Sequence, residues 1–206
     1  MPDPSHARTL LELRAAQAGD REAAEQLFTR YRDRLLEVVS LLMARRRGAL
    51  LEDEEDIVQE SLLDAFLHLE GFEPRSEGAF LHWLSRIAEN NLRQSARRKL
   101  ARKRGEGRVR RSADLSGSLL LSSLFPGREP TPSQAAGSRE LAERIEAIVI
   151  ALPERERRAF VMRRLCDLSF EEVAEELGLG GAASARKLYS RVLVQIGSRI
   201  PDLGTA

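Results

Sequence analysis

The side chains best suited to binding a ligand are basic and hydroxyl groups near the carboxyl end of the chain. The segment Asp167–Val194, DLSFEEVAEELGLGGAASARKLYSRVLV, predicts two short helices joined by a tight glycine turn. The second helix carries the candidate residues Ser184, Arg186, Lys187, Ser190 and Arg191. Arginine and lysine donate hydrogen bonds to guanine edges or to phosphates, and this spacing does not say to which. The pattern predicts a helix-turn-helix, whose second helix lies in a DNA major groove.

The charge of the chain is unevenly distributed. Residues 93–111 are rich in arginine and lysine, whereas residues 52–56 (EDEED) are acidic. The formal net charge of the whole chain is only +1. A near-neutral chain with one concentrated basic block fits a protein that meets both an acidic polymer and a second partner.

Cysteine and histidine usage narrows the classes of site. A single cysteine, Cys166, excludes an internal disulfide and favours a reducing compartment, and we expect it to fill a helix face. The histidines are too scattered for a metal site or a catalytic pair: His6, His68 and His82. We therefore expect no metal, no cofactor and no enzymatic activity. The amino terminus lacks the apolar stretch of a signal peptide and no run approaches a membrane span, so we expect a cytoplasmic protein.

Composition and periodicity predict an all-α fold. Leu, Ala, Glu and Arg dominate, and alternating runs of β-branched and aromatic residues are absent. Predicted helices run from an Asp20 cap to Met43, over residues 53–70, over Ala79–Leu100 and over Glu140–Ala151. Pro153 suits the first turn of the next helix, and Ser169–Glu172 forms a capping box at the start of the helix-turn-helix.

The apolar positions of the predicted helices define their inward faces. We expect the following residues to face inward: Ile57, Val58, Leu62, Ala65, Phe66, Leu69, Phe80, Trp83, Leu84, Ile87, Ala88 and Leu92. Trp83 and Phe80 are therefore expected in the core and not as base-stacking groups. The opposite face of the third helix carries Arg86, Asn90, Arg93 and Arg97.

Composition divides the chain into two small helical domains, residues 1–100 and 138–206. Residues 101–137 are rich in Arg, Gly, Ser and Pro and predict a flexible linker. The apolar run Leu119–Phe125 within it fits either a piece that folds back on a domain or one that docks into a partner groove. The basic run Arg102–Arg111 fits a charged tail as well as a nucleic-acid contact.

Three segments resemble a known family. Glu55–Phe66 (EDIVQESLLDAF) and Gly78–Asn90 (GAFLHWLSRIAEN) are similar to the second domain of a bacterial RNA polymerase sigma factor of the extracytoplasmic-function class. Leu152–Val194 resembles the fourth domain of the same family. The resemblance implies two helical domains that bind core RNA polymerase, recognise the −10 and −35 promoter elements and melt DNA. An anti-sigma factor is a further partner that the resemblance allows.

The resemblance assigns roles to residues of the first domain. It implies that Asp56, Gln59 and Glu60 meet the coiled coil of the polymerase clamp, although alone they also fit a solvated helix face. The surface implied for the −10 element comprises Arg75, Ser76, Arg86, Asn90, Arg93, Arg97 and Arg98. Arginine binds phosphates and asparagine hydrogen-bonds to base edges. Without the resemblance, the same basic residues also fit a helix end that only makes the protein more soluble. The loop Phe72–Phe80 corresponds to the loop of the family that captures extruded bases.

The start of the second helix of the helix-turn-helix departs from the family. A start resembling Gly-Thr-Val is common there, whereas this chain has Ala182-Ala183-Ser184. We therefore expect a small polar residue where a valine is usually buried, with Leu188 and Val192 packed inward.

Two alternative functions stay open: a helix-turn-helix regulator that binds duplex DNA unaided, and a polymerase-binding decoy without DNA recognition.

Overall fold

The computed structural model describes residues 4–43, 53–74, 76, 78–102 and 135–200. All regular elements within these residues are helical, which confirms the predicted all-α class. The chain divides into two compact units, Met1–Ser112 and Ala113–Ala206, and each is described by itself. The basic run from residue 103 to residue 111, the Leu119–Phe125 segment and Arg75 lie outside the described residues. The predicted domain boundaries and the predicted linker stay predictions.

The first unit consists of helices whose ends follow local capping signals. The elements are α1 (Pro4–Gln17), α2 (Arg21–Met43), α3 (Glu54–Leu67), a 3₁₀ turn (Leu69–Gly71) and α4 (Ala79–Arg102). Asp20 is the predicted cap of α2, since its carboxylate accepts hydrogen bonds from the backbone N–H groups of Glu22 and Ala23 at 3.0 and 3.1 Å. These bonds satisfy donors that the first turn of a helix leaves unpaired.

Helix α2 forms the centre of the first unit and packs against α1, α3 and α4. Its inward side chains are fully buried, among them Leu27, Leu35, Val38 and Val39. Burial of each such aliphatic side chain contributes about 1.5–3 kcal/mol. Aromatic rings close one end of this core: Phe28, Tyr31, Phe72, Phe80 and Trp83.

Phe66 is a correction to the predicted inward face of α3. Its side chain is 49% exposed, whereas Ile57, Val58 and Ala65 are buried as predicted. Phe66 lies at the edge of the buried stripe, where its ring meets the edge of Phe28 with 6.1 Å between centroids. The apolar pattern alone predicts a wider buried stripe than α3 presents to its neighbours.

The second unit surrounds its carboxyl-terminal helix. The elements are α5 (Ala135–Ala151), α6 (Glu154–Phe160), a π-helical turn (Val161–Leu165), α7 (Phe170–Glu176) and α8 (Ala182–Arg199). Helix α8 contacts α5, α6 and α7. Pro153 occupies the cap position just before α6, one residue earlier than predicted, and Cys166 is buried as expected.

Buried polar groups fix the connection between α5 and α6. Arg157 is 3% exposed, and its Nη1 donates to the carbonyl oxygens of Ile150 and Leu152, each at 3.2 Å. These carbonyls belong to the end of α5 and the residue that follows, so the guanidinium satisfies acceptors that a helix end leaves free. Arg157 thereby holds the end of α5 against α6.

The predicted glycine turn joins α7 to α8. The side chain of Ser169 accepts a bond from the Glu172 N–H at 3.1 Å, and the Glu172 carboxylate accepts one from the Ser169 N–H at 2.7 Å, which confirms the capping box. Gly178 and Gly181 have φ values of 59° and 125°, and side chains other than glycine rarely adopt that backbone conformation. The two glycines therefore permit the sharp change of direction between the helices.

None of the helices in the described ranges is both long enough and apolar enough to cross a bilayer.

Candidate nucleic-acid and protein interfaces

The polar side of α3 carries the residues predicted to bind a protein partner. Asp56 and Gln59 are exposed, and Glu60 is half-buried. Asp56 also caps its own helix: its carboxylate accepts a bond from the Asp53 N–H at 3.3 Å, while the Asp53 carboxylate accepts one from the Asp56 N–H at 3.0 Å. The carboxylate that is predicted to meet a partner is therefore already part of a capping box.

Glu60 and Arg98 come from two different predicted surfaces, and the structure brings them together. The Nη2 of Arg98 lies 3.2 and 3.4 Å from the two carboxylate oxygens of Glu60, and Nη1 lies 3.3 Å from one of them. The forked geometry of this pair joins α3 to α4. The predicted protein-binding face and the predicted −10 face therefore adjoin at this ion pair.

The outward side of α4 presents a basic ridge. Arg86, Asn90, Arg93 and Arg97 are all exposed, as predicted. Arg93 donates to the Glu89 carboxylate at 3.0 Å and to the Asn90 side-chain oxygen at 3.0 Å. The Nε of Arg97 donates to the Arg93 carbonyl oxygen at 3.3 Å. The ridge is held in a defined arrangement by bonds along the helix, and its outer surface can meet an anion.

Asn91, the neighbour of a predicted site residue, has a structural role that the sequence pattern did not reveal. It is buried, and its Nδ2 donates to the Ser61 Oγ at 3.2 Å and to the Asp64 carboxylate at 3.0 Å. The Ser61 hydroxyl in turn donates to the Ile57 carbonyl at 2.6 Å. This polar chain fixes α3 relative to α4, since breaking it would leave buried polar groups unsatisfied. The one available signal was the position of Asn91 beside Leu92 on the apolar stripe.

The loop between α3 and α4 is tied down by α1. The side-chain amide of Gln17 donates to the carbonyl oxygens of Leu69 and Phe72 at 2.9 and 2.8 Å. The Phe72 ring stacks on Trp83 with 4.7 Å between centroids. Among the described residues, the Oγ of Ser76 is buried without a hydrogen-bond partner, and its carbonyl accepts from the Ala79 N–H at 3.2 Å. Ser76 therefore supports the start of α4 through its backbone, and its hydroxyl does not face solvent.

The predicted residues of α8 occupy one broad exposed face. Ser184, Arg186, Lys187, Ser190 and Arg191 are all exposed. The opposite face carries the buried residues Ala185, Val192 and Ile196. Because successive residues of a helix turn by about 100°, Arg186 and Arg191 lie toward opposite flanks of the exposed face, with Lys187 between them. Val192 packs inward as predicted, and Leu188 is half-buried.

Ser184 is a correction to the expectation that a small polar residue replaces a buried valine. Ser184 is exposed, and the buried residue at the start of α8 is its neighbour Ala185. The helix begins at Ala182, so its rotation places Ala185 in line with Val192 and Ile196. An apolar residue therefore occupies the inward position, and Ser184 belongs to the outer face.

A ring on α7 touches two guanidinium groups, which the sequence analysis missed. The Cζ atoms of Arg163 and Arg186 each lie 5.0 Å from the centroid of the Phe170 ring. Tyr189 meets the same ring edge-on with 6.0 Å between centroids. Burial raises the pKa of Tyr189, against the opposing effect of Arg164 and Arg163 nearby. The contacts require the glycine turn to fold α8 back on α7, so spacing along the sequence gave no signal for them.

Within the described residues, no group of histidine, cysteine, aspartate and glutamate side chains could hold a metal ion.

Comparison with known proteins identifies the family of the chain. The family model for ECF sigma factors matches residues 9–192, which extends across α1–α4 and reaches α8. The ECF RNA polymerase sigma-E factor of Haemophilus influenzae is 30% identical over 184 residues, covering 87% of this chain and 89% of the relative. The sigma-E factors of Salmonella typhimurium and Escherichia coli are 32% and 31% identical over 162 residues, each covering 77% of this chain and 76% of the relative. The chain belongs to the extracytoplasmic-function family of sigma factors.

Proposed function

We propose that the chain binds core RNA polymerase and directs promoter-specific initiation of transcription through two separate DNA contacts. The observation that carries this proposal is the match to the ECF sigma factor family across both helical units. Sigma factors direct promoter-specific initiation together with RNA polymerase, and they are not a class of enzymes. The chemical task of the chain is therefore binding and positioning.

The outer side of α3 is the proposed contact with core polymerase. It presents Asp56 and Gln59 to solvent, with Glu60 at its border. Glu55 adds acidic charge to the first turn and pairs with Arg32, whereas Glu54 is buried. A partner helix rich in arginine would form charge-assisted hydrogen bonds with such a surface. The chemistry supports a basic partner surface, and the family supplies core polymerase as that partner.

The ridge on α4 is the proposed contact with the −10 element. The exposed side chains Arg86, Asn90, Arg93 and Arg97 offer cationic groups for phosphates and one amide for a base edge. The adjoining loop, tied by Gln17, is the proposed site for an extruded base. Arg98 adjoins this ridge, and its guanidinium is paired with the Glu60 carboxylate.

The exposed face of α8 is the proposed contact with the −35 element. Arg186, Lys187 and Arg191 bring positive charge to a face that also carries the hydroxyls of Ser184 and Ser190. A helix held by a preceding short helix and a sharp turn is the arrangement that enters the major groove in helix-turn-helix proteins. Binding of an anti-sigma factor to either unit stays a prediction.

Transcription in vitro tests the proposal. Purified chain is mixed with core polymerase, the transcripts from fragmented genomic DNA are sequenced, and the promoters found are then assayed singly. We expect Arg186→Ala and Arg191→Ala each to weaken promoter use by about 1–3 kcal/mol if the side chain contacts a base. A chain that neither binds core nor directs initiation would disprove the proposal.

Two other outcomes would assign a different function. Tight, sequence-specific binding to duplex DNA without polymerase would identify a stand-alone helix-turn-helix regulator. Binding to core polymerase without any promoter selectivity would identify a decoy. A useful control is the same reaction with core polymerase alone, which must not start at the promoters that the complete mixture uses.

A further inference from the structure

The ring of Phe170 forms a platform beside the proposed −35 surface. Phe170 is the first residue of α7, and its ring lies 5.0 Å from the guanidinium carbon of Arg186 on α8. Tyr189, which is one turn further along α8, meets the ring at an interplanar angle of 61°. A cation over an aromatic face is attracted by the quadrupole of the ring. The start of α8 is therefore joined to the start of α7 by a contact that includes a proposed DNA-binding side chain.

Contacts other than that with Arg186 also hold the Phe170 ring in place. The capping box of Ser169 and Glu172 fixes the residue immediately before Phe170. Arg163, the second guanidinium over the ring, also donates from Nη1 to the Leu168 carbonyl oxygen at 3.0 Å. Arg163 lies in the π-helical turn, and turns of this kind widen the helix locally and alter the direction of their side chains. The ring is thus anchored independently of Arg186.

The cation–π contact has a consequence for how Arg186 meets a ligand. An exposed arginine samples many rotamers, and it loses that freedom when it binds. A ring that already holds the guanidinium reduces the loss on binding. The attraction between a cation and a ring face uses none of the guanidinium N–H donors, so these donors remain able to match phosphate or guanine acceptors.

We infer that Phe170 is a positioning residue: its ring holds the Arg186 guanidinium in place for the −35 DNA contact. The inference rests on the proposed contact between α8 and DNA. It distinguishes Arg186 from Arg191, which lies on the opposite flank of the exposed face. The contribution of Arg186 to the −35 contact therefore depends on a residue outside α8.

The first arm of the test is spectroscopic and needs no DNA. In the complete chain labelled with ¹⁵N, the Nε–H proton of Arg186 should show an upfield ring-current shift. Phe170→Leu should abolish the shift, and Phe170→Tyr should retain it because the aromatic face remains. Arg186→Ala assigns the resonance by its disappearance. If Phe170→Leu leaves the chemical shift of the Arg186 Nε–H proton unchanged, the inference is wrong, whatever the variant does to promoter affinity.

The second arm measures the affinity of holoenzyme for a promoter duplex found by transcript sequencing. We expect Phe170→Leu to weaken binding about two- to fivefold, the factor that corresponds to an exposed cation–π contact, and Phe170→Tyr to restore it. In the Arg186→Ala background, Phe170→Leu should have no further effect. Amide hydrogen exchange of α8 checks that each variant keeps its fold.

The outcomes separate the inference from the proposed function. If Arg186→Ala weakens binding and Phe170→Leu adds an equal loss in both backgrounds, the positioning role is wrong and the DNA contact stands. If Arg186→Ala leaves promoter binding unchanged, the proposed contact of Arg186 is itself wrong and the positioning role falls with it. The positioning role and the DNA contact are both supported if the affinity losses of Phe170→Leu and Arg186→Ala are not additive and Phe170→Tyr keeps the affinity.

Discussion

Arg98 on α4 and Glu60 on α3 form an ion pair, with guanidinium nitrogens 3.2–3.4 Å from the carboxylate oxygens. Sequence resemblance places Glu60 in the polymerase contact and Arg98 in the −10 contact. Because the two side chains meet, the proposed surfaces are continuous across α3 and α4. The side chain of Glu60 is 35% exposed and that of Arg98 is 41% exposed, so solvent screens their attraction. The pair therefore contributes at most about 1 kcal/mol to folding.

The first prediction uses this pair to separate the two proposed surfaces. Glu60→Gln should lower the affinity for core polymerase, and Arg98→Gln should lower promoter opening while leaving core affinity largely intact. Urea unfolding of the first unit, followed by the fluorescence of Trp83, the one tryptophan in the chain, should give a double-mutant coupling of about 0.2–1 kcal/mol. If Arg98→Gln lowers core affinity as strongly as Glu60→Gln, Arg98 acts on polymerase by orienting Glu60.

The second prediction concerns Asp56, whose carboxylate is part of a capping box. Asp56→Arg would remove that cap and reverse a charge at the helix start, with a cost of about 0.5–2 kcal/mol, so it does not test binding cleanly. Asp56→Asn keeps an oxygen acceptor for the Asp53 N–H and removes the charge. We expect Asp56→Asn to weaken core binding by about 1–1.5 kcal/mol, because a hydrogen bond to a charged carboxylate becomes one to a neutral amide.

Asp53→Ala is the matched control for Asp56→Asn. It breaks the same capping box from the other side, because the Asp53 carboxylate accepts the bond from the Asp56 N–H. It should destabilise the first unit by about 1 kcal/mol and leave core affinity unchanged. The measurement is titration of labelled core polymerase with each variant. Equal losses of affinity in Asp53→Ala and Asp56→Asn would show that helix stability, and not the Asp56 charge, controls binding.

The third prediction concerns Gln17 and the loop that precedes α4. Gln17→Glu keeps the shape of the side chain, but it replaces the donor to the Leu69 and Phe72 carbonyls by a carboxylate. Unsatisfied and repelling oxygens should cost the first unit about 1–3 kcal/mol. We expect less melting of the −10 element, seen as lower permanganate reactivity of its thymines, with −35 protection unchanged.

Gln26→Glu provides the control for the same chemical change at an exposed site. The Gln26 amide donates to the Glu22 carboxylate at 3.2 Å on the surface of α2, away from the loop. This variant should lose only a few tenths of a kcal/mol, as like charges four residues apart do on a helix. Promoter melting that falls equally in both variants would exclude a specific role for Gln17 in holding the loop.

Local signals predicted the helix starts, whereas contacts between helices could not be predicted. Asp20 and Ser169 cap helices through bonds to backbone groups two or three residues away, so their type and spacing are sufficient. Glu60 and Arg98 are 38 residues apart, and their meeting depends on how α3 packs against α4. Phe66 illustrates the same limit, because periodicity marks an apolar position but does not show how far the neighbouring helix covers it.

For the candidate site, the sequence predicted which side chains are exposed but not which groups hold them in place. Exposure of Arg93, Lys187 and Arg191 follows from helical periodicity, since each lies opposite an apolar stripe. The partners that hold side chains in place were not predictable. The contact of Arg186 with the Phe170 ring depends on the backbone path through the glycine turn, and the Gln17 bonds depend on where α1 ends relative to the loop.

The fourth prediction tests which residue at the start of α8 faces the core. Ser184→Val and Ala185→Val introduce the same side chain at adjacent helical positions, and the propensity difference between them is at most about 0.7 kcal/mol, since alanine is a better helix former than serine. Ala185 is fully buried, and added methyl groups there should cost about 1–3 kcal/mol by overpacking against the neighbouring helices. Ser184 is exposed, and its replacement should change stability by less than about 0.5 kcal/mol.

Amide hydrogen exchange of α8 measures both variants, since it reports the stability of the second unit directly. Faster exchange in Ser184→Val than in Ala185→Val would show that residue 184, and not residue 185, faces the core. Because Ser184→Val leaves the fold intact, it also isolates the hydroxyl as a DNA contact. Weaker binding of its holoenzyme to the −35 duplex, matched by Ser184→Ala, would place Ser184 in that contact. Unchanged binding in both would remove Ser184 from the proposed contact, because neither the loss of its hydroxyl nor the added methyl groups would then affect the DNA.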